Sequence, residues 1–296
     1  MSKILIIIFA IQLLGFEVTH AQTKIQVVSQ KISKIIDWEP GVTLQLKAER
    51  AEIYCTNHLS QTIDIEVIIV AKHEDKSIAE ADLKKMKWMV DKTNKKIFLR
   101  NYIELARNEA KPESDIKTIY HIKVPLNCAV DISNYFGLLE LENIKSKINI
   151  NSEFSKIKLT DINGELSIKT TFGDISSRGI NGDIHIESNR SDIDLKYITG
   201  ILDLHAILAE ININAIEMVS KINIDAEKSK VKINTGDFNR YSFQFELHKT
   251  DLITPDRLKP EFTVNDDELI VASFKKAKEL PKIEIKINTG TLTIEQ

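Results

Sequence analysis

Cysteine, proline and glycine are all scarce in this 296-residue chain, which holds 2, 6 and 10 of them. Two cysteines cannot build a disulfide-dense scaffold, and so few glycines and prolines argue against a disordered or collagen-like chain. Aromatic residues are only 6% of the sequence, and the formal net charge of -3 gives no basic bias. No cluster of lysine and arginine is interleaved with aromatics, so nucleic acid is not an expected partner. After the amino terminus no apolar run reaches the roughly 20 residues that cross a bilayer as a helix, so no transmembrane segment is expected in the mature chain. Nor is there a G-x-S-x-G elbow, a P-loop, an H-E-x-x-H pair or a dinucleotide fingerprint.

What the chain has is β-branched residue, above all isoleucine, within a 43% hydrophobic composition. Such residues favour the pleated, half-buried surface of sheets. The amino terminus reads as a signal peptide over residues 1–21: Lys3, then about 13 apolar residues from Ile4 to Phe16, then Thr19-His20-Ala21 as a cleavage site. Export to the periplasm, the outer surface or the medium is the expectation, and the absence of a cysteine after Ala21 speaks against a lipid anchor.

From Ala129 onward the sequence falls into nine-residue units, among them AVDISNYFG, LLELENIKS, KININSEFS, KIKLTDING and ELSIKTTFG. Their second and fourth residues are apolar, as in Val130 and Ile132, Leu139 and Leu141, or Ile148 and Ile150, with Ser177 as the exception. Residues two apart on a strand share a face, so each unit predicts a short strand with an inward apolar pair. Two kinds of corner alternate. Phe136, Phe154 and Phe172 mark one, and Ile144, Ile162, Ile180, Ile198 and Ile216 the other. The repeat is therefore eighteen residues and two strands.

An antiparallel meander of such strands would leave an apolar face needing a roof, whereas stacked coils cover themselves. The expected fold is all-β, a parallel β-solenoid (β-helix) with about 18 residues and two main strands per coil and one short inserted α-helix. Residues 22–128 read as irregular β coils, 129–237 as the regular array, with two residues inserted near Met218, and 238–296 as a capping insertion and final coil. Corner residues should stack as inward ladders. The phrase K-I-N-T-G occurs at 232–236 and again at 286–290, suggesting one coil on each side of an inserted hairpin. Between residues 76 and 93, Ala79, Leu83, Met86 and Val90 follow helical spacing behind a Ser77/Glu80 capping box, so a helix is expected there.

Candidate chemistry is sparse. Cys55 and Cys128 both lie in phase with inward neighbours; a disulfide in an oxidising compartment and two buried thiols fit equally well. His185 and Glu187 on one strand, with Asp203 and His205 eighteen residues on, should be outer-face neighbours. Two imidazoles and two carboxylates form a divalent-metal candidate, against the simpler reading of a solvated face. No catalytic residue, cofactor or metal site is otherwise indicated.

The phrases NYFGLLELENI, TTFGDISSRGINGDIHIESNRSDIDL and INTGTLTI, with the WEPGVTLQLKAE opening and the VPLNCAVDI entry, resemble the bacterial "putative adhesin" family of β-strand-repeat proteins of unknown function. Ser177, Arg190 and the insertion near Met218 depart from its most regular pattern. The resemblance implies an extracytoplasmic β-helical domain that binds a cell-envelope or surface ligand, protein or glycan, without catalysis. Two other readings fit the same pattern: a carbohydrate-active enzyme on a β-helix, and a cell-envelope sensor or regulatory module.

Overall fold

The computed structural model describes residues 24–214, 218–275 and 279–295. Residues 1–21, read above as a signal peptide, and Ile216 lie outside the described residues. Within them the chain is all-β apart from one α-helix and one 3-10 turn, and the strands hydrogen-bond into a single long, mostly parallel, non-closed sheet.

The regular part comprises β7 (Val130–Glu142), β8 (Ile148–Asn163), β9 (Leu166–Thr171), β10 (Ile175–Asn189), β11 (Ile193–Ile207), β12 (Glu210–Asn214) and β13 (Met218–Asn234). Several of these are two nine-residue units fused through a bend, which is why they run to 13–17 residues. Pairing is parallel, and partners lie eighteen residues apart: Val130 beside Ile148, Ile148 beside Leu166, Ile175 beside Ile193, Ile184 beside Leu202. The offset grows to nineteen at Thr199–Met218 and to twenty at Ile201–Lys221, across a bulge at Gly200/Ile201. The two inserted residues are thus absorbed locally, and the inward set stays inward.

Burial follows the sequence pattern. Val130, Ile132, Leu139, Leu141, Ile148, Ile150, Ile157 and Leu159 are buried, as are the corner residues Ile144, Ile162, Ile180 and Ile198, all within one continuous apolar cluster. Ile162 stacks between its register neighbours, and Ile180 continues the column to Ile198. Removing such a side chain from water contributes roughly 1.5–3 kcal/mol.

The other corner differs from expectation. Phe136, Phe154 and Phe172 do form a ladder, but each is about 40% exposed (42%, 39% and 43%). The reason is local. At each, φ is positive (61°, 52° and 55°), and this left-handed bend turns the eighth side chain of the unit outward. The tight inner side of the bend takes small residues instead, in a column of Asn134, Ser152, Thr170, Ser188, Ala206 and Ala226. Residues after the bend are small, Ser, Thr or Gly at most bends and Ala at Ala51 and Ala209, for two reasons. Ser155, Ser191, Ser229 and Thr250 each donate a hydroxyl hydrogen bond to the carbonyl two residues back, at 3.0, 3.3, 2.7 and 2.7 Å. Where glycine stands, as at Gly137 (φ 146°), an added Cβ would lie 1.9 Å from the Ala51 carbonyl oxygen of the neighbouring strand.

The amino-terminal part is β1 (Gln26–Asp37), β2 (Thr43–His58), β3 (Thr62–His73), α1 (Lys76–Leu83), β4 (Met86–Lys92), β5 (Lys96–Ile103) and β6 (Asp115–Pro125). β2 bends at Arg50 (φ 50°) and lies parallel to β7 along both halves. Beyond it, β5 and then antiparallel β4 extend one half, while β6, antiparallel β3 and antiparallel β1 extend the other.

The helix is shorter than the expected 76–93. Ala79 and Leu83 do belong to it, but Met86 opens a strand, because Met86, Trp88 and Val90 also alternate at period two. They face Ile103, Asn101 and Leu99 of β5. The pairs Met86 and Val90 fit both periods; the unclaimed Trp88 decides. The cap is Asp75, whose carboxylate accepts from Ser77 N at 2.7 Å, rather than Ser77.

At the far end β14 (Ser242–Ile253), β15 (Glu261–Asn265), β16 (Leu269–Phe274) and β17 (Lys282–Glu295) do not follow chain order. β17 inserts between β13 and β14, parallel to both, and β16 and β15 pair antiparallel beyond β14. The last strand of the sequence is therefore internal. The two K-I-N-T-G phrases are not equivalent: Lys232 faces Thr293, whereas Lys286 faces Asp225 and its Thr289 sits at the bend (φ 67°).

Candidate functional site

Three outward features stand above the general run of cross-strand ion pairs. The first is the corner ridge. Because every bend repeats at the strand spacing, Phe136, Phe154 and Phe172 stack at centroid distances of 4.8 and 4.9 Å with interplanar angles of 14° and 3°. Tyr135 packs edge-on against Phe136 and Phe154 at 4.4 and 5.8 Å, and the Arg190 guanidinium covers the far face of Phe172 at 5.3 Å. A bulky residue in the left-handed region costs about 1–2 kcal/mol. Each ring pair returns roughly 0.5–1.5 kcal/mol. Asparagine or glycine would take the bend more cheaply, so packing alone does not demand phenylalanine there. The rings cover one another's faces and offer their edges to solvent.

The second feature contains the residues singled out from sequence. His185, Glu187, Asp203 and His205 are brought together on one outer face, Glu187 beside His205 and His185 beside Asp203. They form a row rather than a cage. His185 contacts Asp203 at 3.2 Å through Nδ1 and Glu187 at 3.4 Å through Nε2, while His205 reaches Asp203 at 3.6 Å and Asp225 at 3.7 Å. Lys169 binds Glu187 at 2.8 Å, and Asn223 donates to Asp203 at 2.8 Å. The hydrogen bond from Lys169, seconded by that from His185, lowers the Glu187 carboxyl below its ordinary value. Each imidazole is thus spent between two carboxylates. No group of three or more metal-ligating side chains converges on one point among the described residues.

The third is a trough of about 430 Å³ on the outer face of β2, β3, β6 and β7, walled on one side by Ser33, Lys34 and Ile35 of β1. Tyr54 and His121 stack on its floor at 5.0 Å, with Asp64, Glu66, Glu140 and Glu142 around them. Burial, with Glu52 and Glu140 adding to it, raises the Tyr54 phenol above its usual value. Sequence reasoning missed this trough, since Tyr54 and His121 lie 67 residues apart and meet only through the pairing of β2 with β6.

Cys55 and Cys128 are both free and buried. Desolvation pushes their thiols up to about 12 and about 11, so both are protonated core groups. Also unforeseen is Asp82, nearly inaccessible at the end of α1. Burial acts to raise its pKa, but bonds from the Lys85 ammonium, Ser114 N, Ser114 Oγ and Glu113 N outweigh it and hold the carboxyl at about 2. It pins the 104–114 loop to the helix.

The chain matches no family model and no curated protein. Solved structures similar to it include a "putative cell adhesion protein" from Clostridium sporogenes (10% identity, TM-score 0.25, covering 91% of this chain and 100% of that one). Others are a "putative adhesin" from Bacteroides fragilis (11%, 0.37, 90% and 97%) and a "putative lipid binding protein" from Parabacteroides distasonis (10%, 0.43, 91% and 97%). No helix among the described residues is long and apolar enough to cross a membrane.

Proposed function

We propose that this chain is an exported β-solenoid, with a coil of about eighteen residues, that acts as a non-catalytic binding module of adhesin type, and that its ligand is a protein of the cell envelope or cell surface. The observation that supports this reading most strongly is the ridge of Phe136, Phe154 and Phe172. It is exposed, it sits on backbone that favours other residues, and Arg190 and Tyr135 frame it. Aromatic residues and arginine are the types that dominate protein interfaces. The rings cover each other's faces, so the ridge offers edges for apolar contact and lacks the open faces on which sugars stack.

The test is binding of labelled protein to bacterial cells, with and without prior protease or periodate treatment. Protease should abolish binding and periodate should leave it, and Phe154→Asn, which suits a left-handed bend, should lose binding while keeping its melting temperature within a few degrees. Binding removed by periodate alone and indifferent to Phe154→Asn would turn the reading toward glycan. Release of reducing sugar from envelope polysaccharide would favour the carbohydrate-active enzyme instead.

A further inference from the structure

The two ends of the sheet are closed unequally. At the carboxy-terminal end the last strand is β15, five residues long, and on the β5 side it is β4, seven residues long with Lys87 and Lys92 tied to Glu104 and Glu39. β1 is twelve residues long, pairs with β3 along its whole length without a bulge, and has no strand on its other edge among the described residues. It contains no proline, and Val27 and Ile35 are 59% and 70% exposed. Of its two lysines, Lys31 is drawn onto Glu66 at 2.7 Å. A long, regular, partly apolar edge with free N–H and C=O groups is a template for another strand.

The edge is complementary to itself. Val28 and Ile32 pack against the core and Ile36 is buried, so these even-numbered positions mark the core side of the strand, with the exposed Gln30 and Lys34 between them. A two-fold axis perpendicular to the sheet keeps inward residues opposite inward residues in an antiparallel pair. With the axis through Ile32, that residue meets the partner's Ile32 and Val28 meets the partner's Ile36. Both are core-side apolar pairs, and between them Gln30 meets the partner's Lys34, an exposed polar pair with no like-charge contact. On the outer side Lys31 then meets the partner's Ser33. An axis through Lys31 instead sets it against the partner's Lys31 and puts Val28 against the partner's Lys34. An axis through Gln30 shortens the ladder and leaves Ile36 unpaired. Charge and apolar matching select the same register.

We infer that β1 is an interface between two copies of this chain, which pair antiparallel about Ile32 to make one sheet continuous across both molecules. The test is sedimentation equilibrium on the protein purified from an exporting host, together with two substitutions at the exposed Ser33. A dimer is expected. Ser33→Lys places a lysine against Lys31 twice across the two-fold and should weaken dimerisation several-fold, whereas Ser33→Glu should tighten it several-fold. Both effects should shrink at high salt. Within one copy Ser33 faces Glu66 of β3, so Ser33→Lys should slightly raise and Ser33→Glu slightly lower the melting temperature of the monomer, opposite in sign to their effects on dimerisation. A protein that is monomeric across the accessible concentration range overturns the inference. So does a dimer whose dissociation constant is the same in both variants, because its contact lies elsewhere.

Discussion

At single residues, the bends show how a repeat tolerates poor local choices when each copy supports the next. Phe136, Phe154 and Phe172 adopt φ values that asparagine would take more easily, and their stacking offsets the strain. Asp82 is the clearest individual prediction. Its folded pKa, about 2, is below the ordinary carboxylate value, so its contribution is present above about pH 4 and is lost as pH falls toward 2. Asp82→Asn should cost about 2 kcal/mol at neutral pH and flatten that part of the acid-unfolding curve, read by urea titration at several pH values. The buried thiols should behave oppositely to surface cysteines. Thiol reagent should find no reactive group in the native protein and two after unfolding without reductant. Finding none after unfolding would mean the chain is bridged.

Among elements, the register was legible in sequence because burial and spacing agree there. Paired apolar positions, alternating corners and small residues after each bend all pointed to rungs that repeat every eighteen residues. Ile162→Asp puts a charge into the corner column between Ile144 and Ile180 and should unfold the middle of the array, seen as loss of the main thermal transition. Gly182→Ala should also be severe, since its Cβ would sit 2.1 Å from the Gly164 carbonyl oxygen at φ 143°. What was not legible has physical reasons. Met86 and Val90 satisfy helix and strand spacing alike, so only pairing with β5 decides between them. The outward turn of the phenylalanines depends on the sign of φ, which an alternation pattern does not encode. The His185 row was found from the repeat, but strand spacing arranges it as a line of bridged pairs. The trough around Tyr54 joins strands brought together only by tertiary topology.

For the whole molecule, parallel rungs offset by eighteen residues set the layout, since the ridge and the histidine row both follow from that stacking. The order of the last strands carries a consequence for folding. β17 must insert between β13 and β14, so the end of the array closes only when the carboxy-terminal residues have arrived. Removing residues 282–296 should therefore weaken protection of both β13 and β14 in hydrogen exchange, rather than fraying a terminal strand alone. The stacking itself is tested most directly by disulfide trapping in a background where Cys55 and Cys128 are alanine. Lys158 and Ser176 are exposed register partners eighteen residues apart. The pair Lys158→Cys with Ser176→Cys should oxidise to an intramolecular disulfide in high yield under native conditions, and Lys158→Cys with Ser167→Cys should not. Efficient bridging of 158 to 167, with none of 158 to 176, is the result of an antiparallel meander and would contradict the account.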